Sequence, residues 1–362
     1  MYDARIMPKP APKKHLSAKE GESAGGRVTV SIHDVASAAR VSIATVSRVI
    51  NNPHLVSART AARVQEVIRK TGYAPNPFAQ GLITRSSRVL GIALPDIHGE
   101  FYSELLRGAD AEARSLGYHL LVSSEPRRED RGPANGSLAF GLIDGIAVMI
   151  TDAASNLLKE AKGSLLPTVV LDTDLHAKGV DSLVVDNAGG TREGVNHLLA
   201  SVPASSLYFV GGPEENFDAQ QRASAFRAAV AASGWKPRAD QVSFGDYTSE
   251  WGERWAEEHL KATGKGVFGV LAGNDEIAIG VMQAASQAGV RIPDQLRLVG
   301  FDDTRLATLI RPRLSTVRVP MAEVGAASIR LLVRRIEDRE AEITCVHLPT
   351  SLVVRESSVP RA

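Results

Sequence analysis

The chain has 362 residues, 44% of them hydrophobic and 23% charged, with a formal net charge of +1 and one cysteine, Cys345. That length accommodates a small domain beside a large one, and the composition excludes a disordered, collagenous or disulfide-framed chain. One cysteine excludes both an internal disulfide and a cysteine-based zinc site; the absence of a spanning apolar run or a secretory leader pattern points to a cytoplasmic protein with no membrane partner.

The charge is unevenly spread. Residues 1–27 carry a net +3, residues 28–85 a net +5, and the other 277 residues a net −7. Such asymmetry suits a polyanion-binding head on a mildly acidic body. Residues 1–27, running from Pro8-Lys9-Pro10 to Gly25-Gly26, read as a disordered basic arm, either grazing phosphates or simply solvated.

Two short amphipathic helices follow, separated by a polar turn. Val35, Ala36 and Ala39 fall at helical spacing, and Val41-Ser42 breaks the pattern. Ser42 is placed to cap the second helix, because a hydroxyl there accepts from the unpaired N–H groups of the first turn. Val46, Val49 and Ile50 form its buried face, leaving Ile43, Ala44, Ser47 and Arg48 outward. A helix with small and cationic groups outside suits a DNA major groove. A third helix is expected from the Ser57 cap through Lys70, stopped by Gly72. Residues 76–84, opening at Asn76-Pro77, form a candidate short helix too weak to stand alone in water.

From Arg88 the rhythm becomes strand–helix alternation. Apolar strands are expected at 89–95, 118–122, 145–150, 168–171, 206–210, 267–271 and 296–300, with a helix over Phe101–Leu116. Continuous apolar strands alternating with helices indicate parallel sheets covered on both faces, and about 270 residues suggest two such lobes. Ligands in these folds bind beyond the carboxyl ends of the strands. Asp96, Asp172, Gly211-Gly212-Pro213, Asn274-Asp275 and Asp302-Asp303 stand there.

With these residues assembled, the chain from Val28 to Ser357 resembles the lactose-repressor (LacI/GalR) family of bacterial transcription regulators. The most specific matches are Asp34-Val35-Ala36, Val41-Ser42, Thr45-Val46-Ser47-Arg48-Val49 and Asn51, continued by Val56-Ser57, Thr60, Gly72-Tyr73 and Pro75-Asn76. Asp144-Gly145-Ile146, Arg222 ahead of Ala225-Phe226, Asn274-Asp275, Gly300-Phe301-Asp302-Asp303 and Arg355-Glu356-Ser357 support them in order. Arg40 departs from the small turn residue usual in the family.

The resemblance implies a multidomain chain: a small all-α helix-turn-helix headpiece over 28–75, a hinge helix and linker over 76–87, and a two-lobed α/β body resembling periplasmic binding proteins over 88–357. Lobe one is expected at 88–188 and 318–345, lobe two at 189–317 and 346–357, and a tail at 358–362. It places Ile43, Ala44 and Arg48 on base edges, with phosphate contact as the alternative for Arg48. Ser42, Thr45 and Ser47 would hold phosphates. Leu82 would wedge into the minor groove at the operator centre, or else pack on the body. For the interlobe cleft, the resemblance points to Phe101, Tyr102, Asp172, Arg222, Tyr247, Asn274 and Asp302, with Met321 as a weaker candidate. Carboxylates and amides there would pair with hydroxyls while an aromatic face covers a ring. The structural alternatives are a helix-surface ion pair for Arg222, a helix cap shared with Asp303 for Asp302, a purely structural role for Asn274 and ordinary packing near Trp251 for Tyr247.

The reading is a homodimeric DNA-binding repressor switched by a sugar or sugar derivative, with double-stranded operator DNA as partner and no cofactor or metal. A purine-like effector is the first alternative. A sugar-active enzyme, with Asp172-Thr173-Asp174 or Asp302-Asp303 holding Mg²⁺, is the second; no phosphate loop or nucleophile elbow supports it.

Overall fold

The structure, a computed structural model, describes residues 30–73, 86–95, 97, 99–124, 142–151, 166–260 and 266–359. The chain divides into two compact units, Met1–Asn76 and Pro77–Ala362. The expected basic arm and the hinge segment with Leu82 lie outside the described residues, as does Asp96.

The first unit contains α1 (Ile32–Ala39), α2 (Ile43–Asn51) and α3 (Ala58–Thr71). Each begins at a serine. Ser31 forms a reciprocal capping box with Asp34, whose carboxyl is held below its ordinary pKa by those hydrogen bonds. Ser42 accepts from Thr45 N–H at 3.2 Å, and Ser57 from Thr60 N–H at 3.4 Å. Val35, Ala36 and Ala39 of α1, Val46 and Val49 of α2, and Val64 of α3 close a common core. Arg40 ends α1 in the left-handed region at φ 50°, and Gly72 ends α3 at φ 65°. The turn therefore keeps its geometry around a bulky cationic residue, at a steric cost that glycine would avoid.

The second unit holds two six-stranded sheets. The first contains β1 (Val89–Leu94), β2 (His119–Ser124), β3 (Gly145–Met149), β4 (Thr168–Leu171), β5 (Asp181–Val185) and β11 (Cys345–Leu348), in the order β11-β5-β4-β3-β1-β2, all parallel. The second contains β6 (Leu207–Gly211), β7 (Val242–Phe244), β8 (Phe268–Ala272), β9 (Leu296–Asp302), β10 (Ser315–Arg318) and β12 (Ser351–Val353), in the order β12-β10-β9-β8-β6-β7. Its one antiparallel pair is β10 with β12. The helices are α4 (Gly99–Ser115), α5 (Asn187–Leu199), α6 (Phe217–Ala232), α7 (Ser249–Leu260), α8 (Asp275–Gln287), α9 (Arg305–Leu309) and α10 (Met321–Glu337).

The chain passes between the sheets three times, after β5, after β10 and after β11. The third passage falls later than expected: residues 346–348 belong to lobe one, because β11 pairs with β5 from Cys345↔Ser182 to Leu348↔Val185. The polar start Asp181-Ser182 and the short length of β11 leave little apolar signal for this pairing. The expected tail also begins too early. Ser358 is buried and bonds His197 Nε2 and Ser315 Oγ, both at 2.7 Å, because polar β10 needs these partners. Arg355-Glu356-Ser357 pins the same region through Arg355 to Asp303, Arg313 to Glu356 and Ser357 Oγ to the Leu298 carbonyl.

α10 lies against α4 so closely that a Cβ at Gly108 or Gly325 would strike opposing backbone. α7 and α8 meet the same way at Gly252 and Gly280. The ends of β1, α4, α6, α8 and β9 line one cleft between the two lobes.

Candidate functional site

On α2, Ile43, Ala44 and Arg48 are exposed, while Val46 and Val49 are buried. Ser42 is also exposed, but its hydroxyl is engaged with Thr45 Oγ1 at 2.9 Å as well as with the backbone. Thr45 and Ser47 are half-buried, and Ser47 Oγ accepts from Asn51 Nδ2 at 3.4 Å. The outward set is thus an apolar pair and one guanidinium on a capped helix. Its N-terminus presents partial positive charge toward an approaching polyanion.

In the second unit, all seven expected cleft residues line a single cavity of about 390 Å³. Phe101 and Tyr102, in the first turn of α4, contact edge to face at 5.2 Å between centroids. Asp172 follows β4, and Asp302 ends β9. Their backbones sit at φ 63° and φ 111°, conformations that cost non-glycine residues on the order of 1–3 kcal/mol and concentrate at functional sites.

Arg222 is the cavity's fixed point. It is buried, with Nε donating to Asn187 Oδ1 at 2.8 Å and Nη1 to the Gly273 carbonyl at 2.6 Å. Its guanidinium lies 3.8 Å from the Phe301 ring centroid, and Nη2 is 3.8 Å from Asp218 on the preceding turn of α6. Burial alone would lower its pKa, but Tyr247 and the carboxylates of Asp218, Asp302 and Asp172 hold it above its ordinary value. Arg222 thus lines the cavity, and its ion pair with Asp218 is buried there rather than on the helix surface.

Asp172 and Asp302 are buried, and burial raises both pKa values well above the carboxylate range. Repulsion from Asp218 adds to the effect at Asp172. Among the described residues, no side chain or backbone N–H donates to either carboxylate. Two acceptors therefore face the cavity without protein donors, beside a cation that commits only Nε and one N–H of Nη1 to hydrogen bonds with the described protein.

Other expected residues are more committed. Asn274 caps α8 by accepting from Ile277 N–H at 2.8 Å, and its amide reaches the Tyr247 carbonyl at 3.4 Å. Tyr247 lies over Gly212, where a Cβ would meet the ring at 2.3 Å, and its hydroxyl donates to Asn216 at 3.2 Å. Met321 is buried outside this cavity. Asp303 is paired with Arg318 at 2.7 Å and Arg355 at 2.5 Å, which removes it from any Mg²⁺ pair with Asp302. Asp174 likewise turns to His176 rather than to Asp172.

Sequence reasoning missed Asp218, Asn187 and Asn216, the partners that hold Arg222 and Tyr247. Only Asp218 left a signal, its four-residue spacing from Arg222. Glu100, Thr151, Glu276 and Thr304 are among the further residues that line the cavity. Glu100 also accepts from Arg305 N–H at 2.5 Å, and Phe217 N–H donates to the Thr151 carbonyl at 2.8 Å, so two hydrogen bonds bridge the lobes.

Comparison with known proteins agrees with this architecture. Residues 31–76 match the model described as bacterial regulatory proteins, lacI family, and residues 196–358 match a periplasmic binding protein-like domain. Catabolite control protein A of Priestia megaterium is 32% identical over 336 residues, spanning 91% of this chain and all of that protein. The lac repressor dimer bound to operator and the anti-inducer ONPF superposes with a TM-score of 0.80 at 26% identity, covering 91% of this chain and 99% of that one. The transcriptional regulator CelR in complex with cellobiose gives 0.69 at 26% identity, covering 91% of this chain and all of that one. The chain belongs to the LacI family of bacterial regulatory proteins. It is a DNA-binding transcription regulator, a helical headpiece followed by a two-sheet α/β body.

Proposed function

We propose that the protein is a homodimeric repressor whose hold on a pseudo-palindromic operator is switched by a sugar-type effector in the cavity around Arg222. The donor-free carboxylates of Asp172 and Asp302 carry this reading, since a polyhydroxylated ligand supplies what they lack. The described lining places five acidic side chains, Glu100, Asp172, Asp218, Glu276 and Asp302, beside one guanidinium. Burial already disfavours charge on Asp172, Asp218 and Asp302, so a neutral polyol suits this lining better than a phosphorylated one. The lining also favours a sugar over a purine, whose ring offers fewer donors.

Two headpieces would each read one half-site, as a two-fold protein on a two-fold operator requires. Arg48 donates to guanine, Ile43 and Ala44 meet a thymine methyl, and Ser42, Thr45 and Ser47 hold phosphates. Leu82 wedges between the central base steps. The lac repressor dimer is bound to operator and CelR to cellobiose, which supports both halves of the reading. A protein with this task works in the bacterial cytoplasm. The cavity binds its ligand without turnover; conversion of any sugar by the purified protein, abolished in Asp302→Ala, would overturn that part.

The test is selection of random duplex DNA by the purified protein, with and without a panel of sugars. One palindrome should be enriched, and one compound should weaken or strengthen its retention. Arg48→Ala should lose preference for that palindrome while keeping salt-sensitive nonspecific binding, a discrimination loss of about 1–3 kcal/mol. No enriched sequence from a folded, dimeric protein would refute the reading.

A further inference from the structure

At the outer edge of the first sheet, two segments distant in sequence converge on a mixed donor set. After β4 the chain turns back over β5, with Leu175 N–H donating to Ser182 Oγ at 2.8 Å and Val180 N–H to the Leu175 carbonyl at 3.4 Å. This carries Asp174 across β5 to edge strand β11, where Cys345 and His347 stand two residues apart and so share one face. A sulfur, an imidazole nitrogen and a carboxylate oxygen from Cys345, His347 and Asp174 all lie within 4.8 Å of one another. Cys345 is half-buried, and Asp174 and His347 are exposed, so the set is open to solvent on one side.

We propose that Asp174, Cys345 and His347 bind a divalent transition-metal ion of the Zn²⁺ class, with His176 or water completing the coordination.

The donor chemistry selects the metal. Thiolate and imidazole favour Zn²⁺, Co²⁺ or Ni²⁺ over Mg²⁺ and Ca²⁺, which take oxygen ligands. Tetrahedral Zn²⁺ holds sulfur at about 2.3 Å and nitrogen or oxygen at about 2.0–2.2 Å, so its ligand atoms stand roughly 3–4 Å apart. The separations of up to 4.8 Å here need to shorten by about an ångström to reach that spacing. His176 already bonds Asp174 Oδ1 through its backbone N–H at 3.0 Å and its Nδ1 at 2.9 Å, fixing the carboxylate's orientation.

The frame beneath is rigid. Asp181 accepts from Arg335 Nε at 2.6 Å and from Thr344 N–H at 2.9 Å, and Arg335 also bonds the Arg339 and Ala341 carbonyls. This network holds the approach to β11 and fixes where Cys345 begins. A bound ion would tie the edge strand to the 172–174 turn, which carries Asp172 of the effector cavity at its other end.

The experiment uses the tag-free full-length chain and Co²⁺ as probe. Cys345 is the sole cysteine, so a thiolate-to-cobalt charge-transfer absorption reports this site alone. We expect that band to saturate at one equivalent per chain and to be displaced by Zn²⁺. Cys345→Ser should abolish it, and His347→Gln should weaken Zn²⁺ binding by calorimetry at least about tenfold. Zn²⁺ should raise the unfolding midpoint of the parent but not of Cys345→Ser, whose metal-free midpoint serves as the folding control. No charge-transfer band at micromolar Co²⁺, or equal Zn²⁺ affinity in Cys345→Ser, would overturn the assignment.

Discussion

Asp275 shows how a single residue concentrates the tension in this structure. It is buried at the start of α8 and accepts from Thr304 N–H at 2.7 Å, Thr304 Oγ1 at 2.9 Å and Thr316 Oγ1 at 2.6 Å. It therefore ties α8 to the β9–α9 connection and to β10. Burial pushes its pKa up to about 7, against the pull of those same hydrogen bonds. A carboxyl raised in the folded state binds more protons there than when unfolded, so folding stability declines as pH rises from about 4 to 7. The full shift corresponds to roughly 4 kcal/mol. Asp275→Asn should make stability fall less steeply with pH across that window in denaturant unfolding, the remaining slope coming from Asp172 and Asp302. An unchanged slope would assign the titration elsewhere.

Elements carry their own logic. All three headpiece helices open on a serine cap, and none of the three is long enough to persist without tertiary contacts. Arg40 is the local departure. An L-residue in the left-handed region costs about 1–2 kcal/mol, partly offset because glycine would have more freedom to lose on folding. Arg40→Gly should therefore stabilise the headpiece by about 0.5–1 kcal/mol, read as slower amide exchange across residues 32–71 of the full chain. Faster exchange would mean that the Arg40 side chain contributes more than its backbone costs. In the body, Asp144 plays the anchoring part. Its carboxylate accepts from Ser86 Oγ at 2.6 Å, Ser87 N–H at 2.6 Å and Arg88 N–H at 3.0 Å, fixing the chain as it enters β1.

At the scale of the whole molecule, Arg222 joins parts of the body that must agree for a ligand to be held. Through it, α6 meets Asn187 at the start of α5, Gly273 after β8 and Phe301 on β9. Arg222→Ala should abolish the effector's influence on operator retention while leaving operator affinity near that of the parent. It should also destabilise the body by about 3–5 kcal/mol, because the carboxylates around it lose their counter-charge. A normal dose response in this variant would move the effector site away from Arg222. Asp302→Asn, which leaves the guanidinium in place, separates loss of ligand contact from loss of fold.

The sequence by itself determined the class of this protein. Serine caps, apolar spacing and the order of short motifs are local, so the headpiece helices and the central strands were legible along the chain, while the seven cavity-lining residues came from the family resemblance that those motifs carry. The tertiary structure decided what depends on distant partners. Strands β5, β10 and β11 carry polar residues whose partners come from other elements, so they show weak apolar patterns, and the late passage between lobes went unread with them. Asp218 and Asn187 become site residues only because helices from different crossovers deliver them to one guanidinium. Asp303, adjacent to Asp302 in the chain, is diverted to Arg318 and Arg355 because the backbone turns between them. Counting one cysteine excluded a cysteine-based zinc site. Yet a mixed site needs only one, and the turn over β5 brings Asp174 to Cys345 and His347 across 171 positions of sequence.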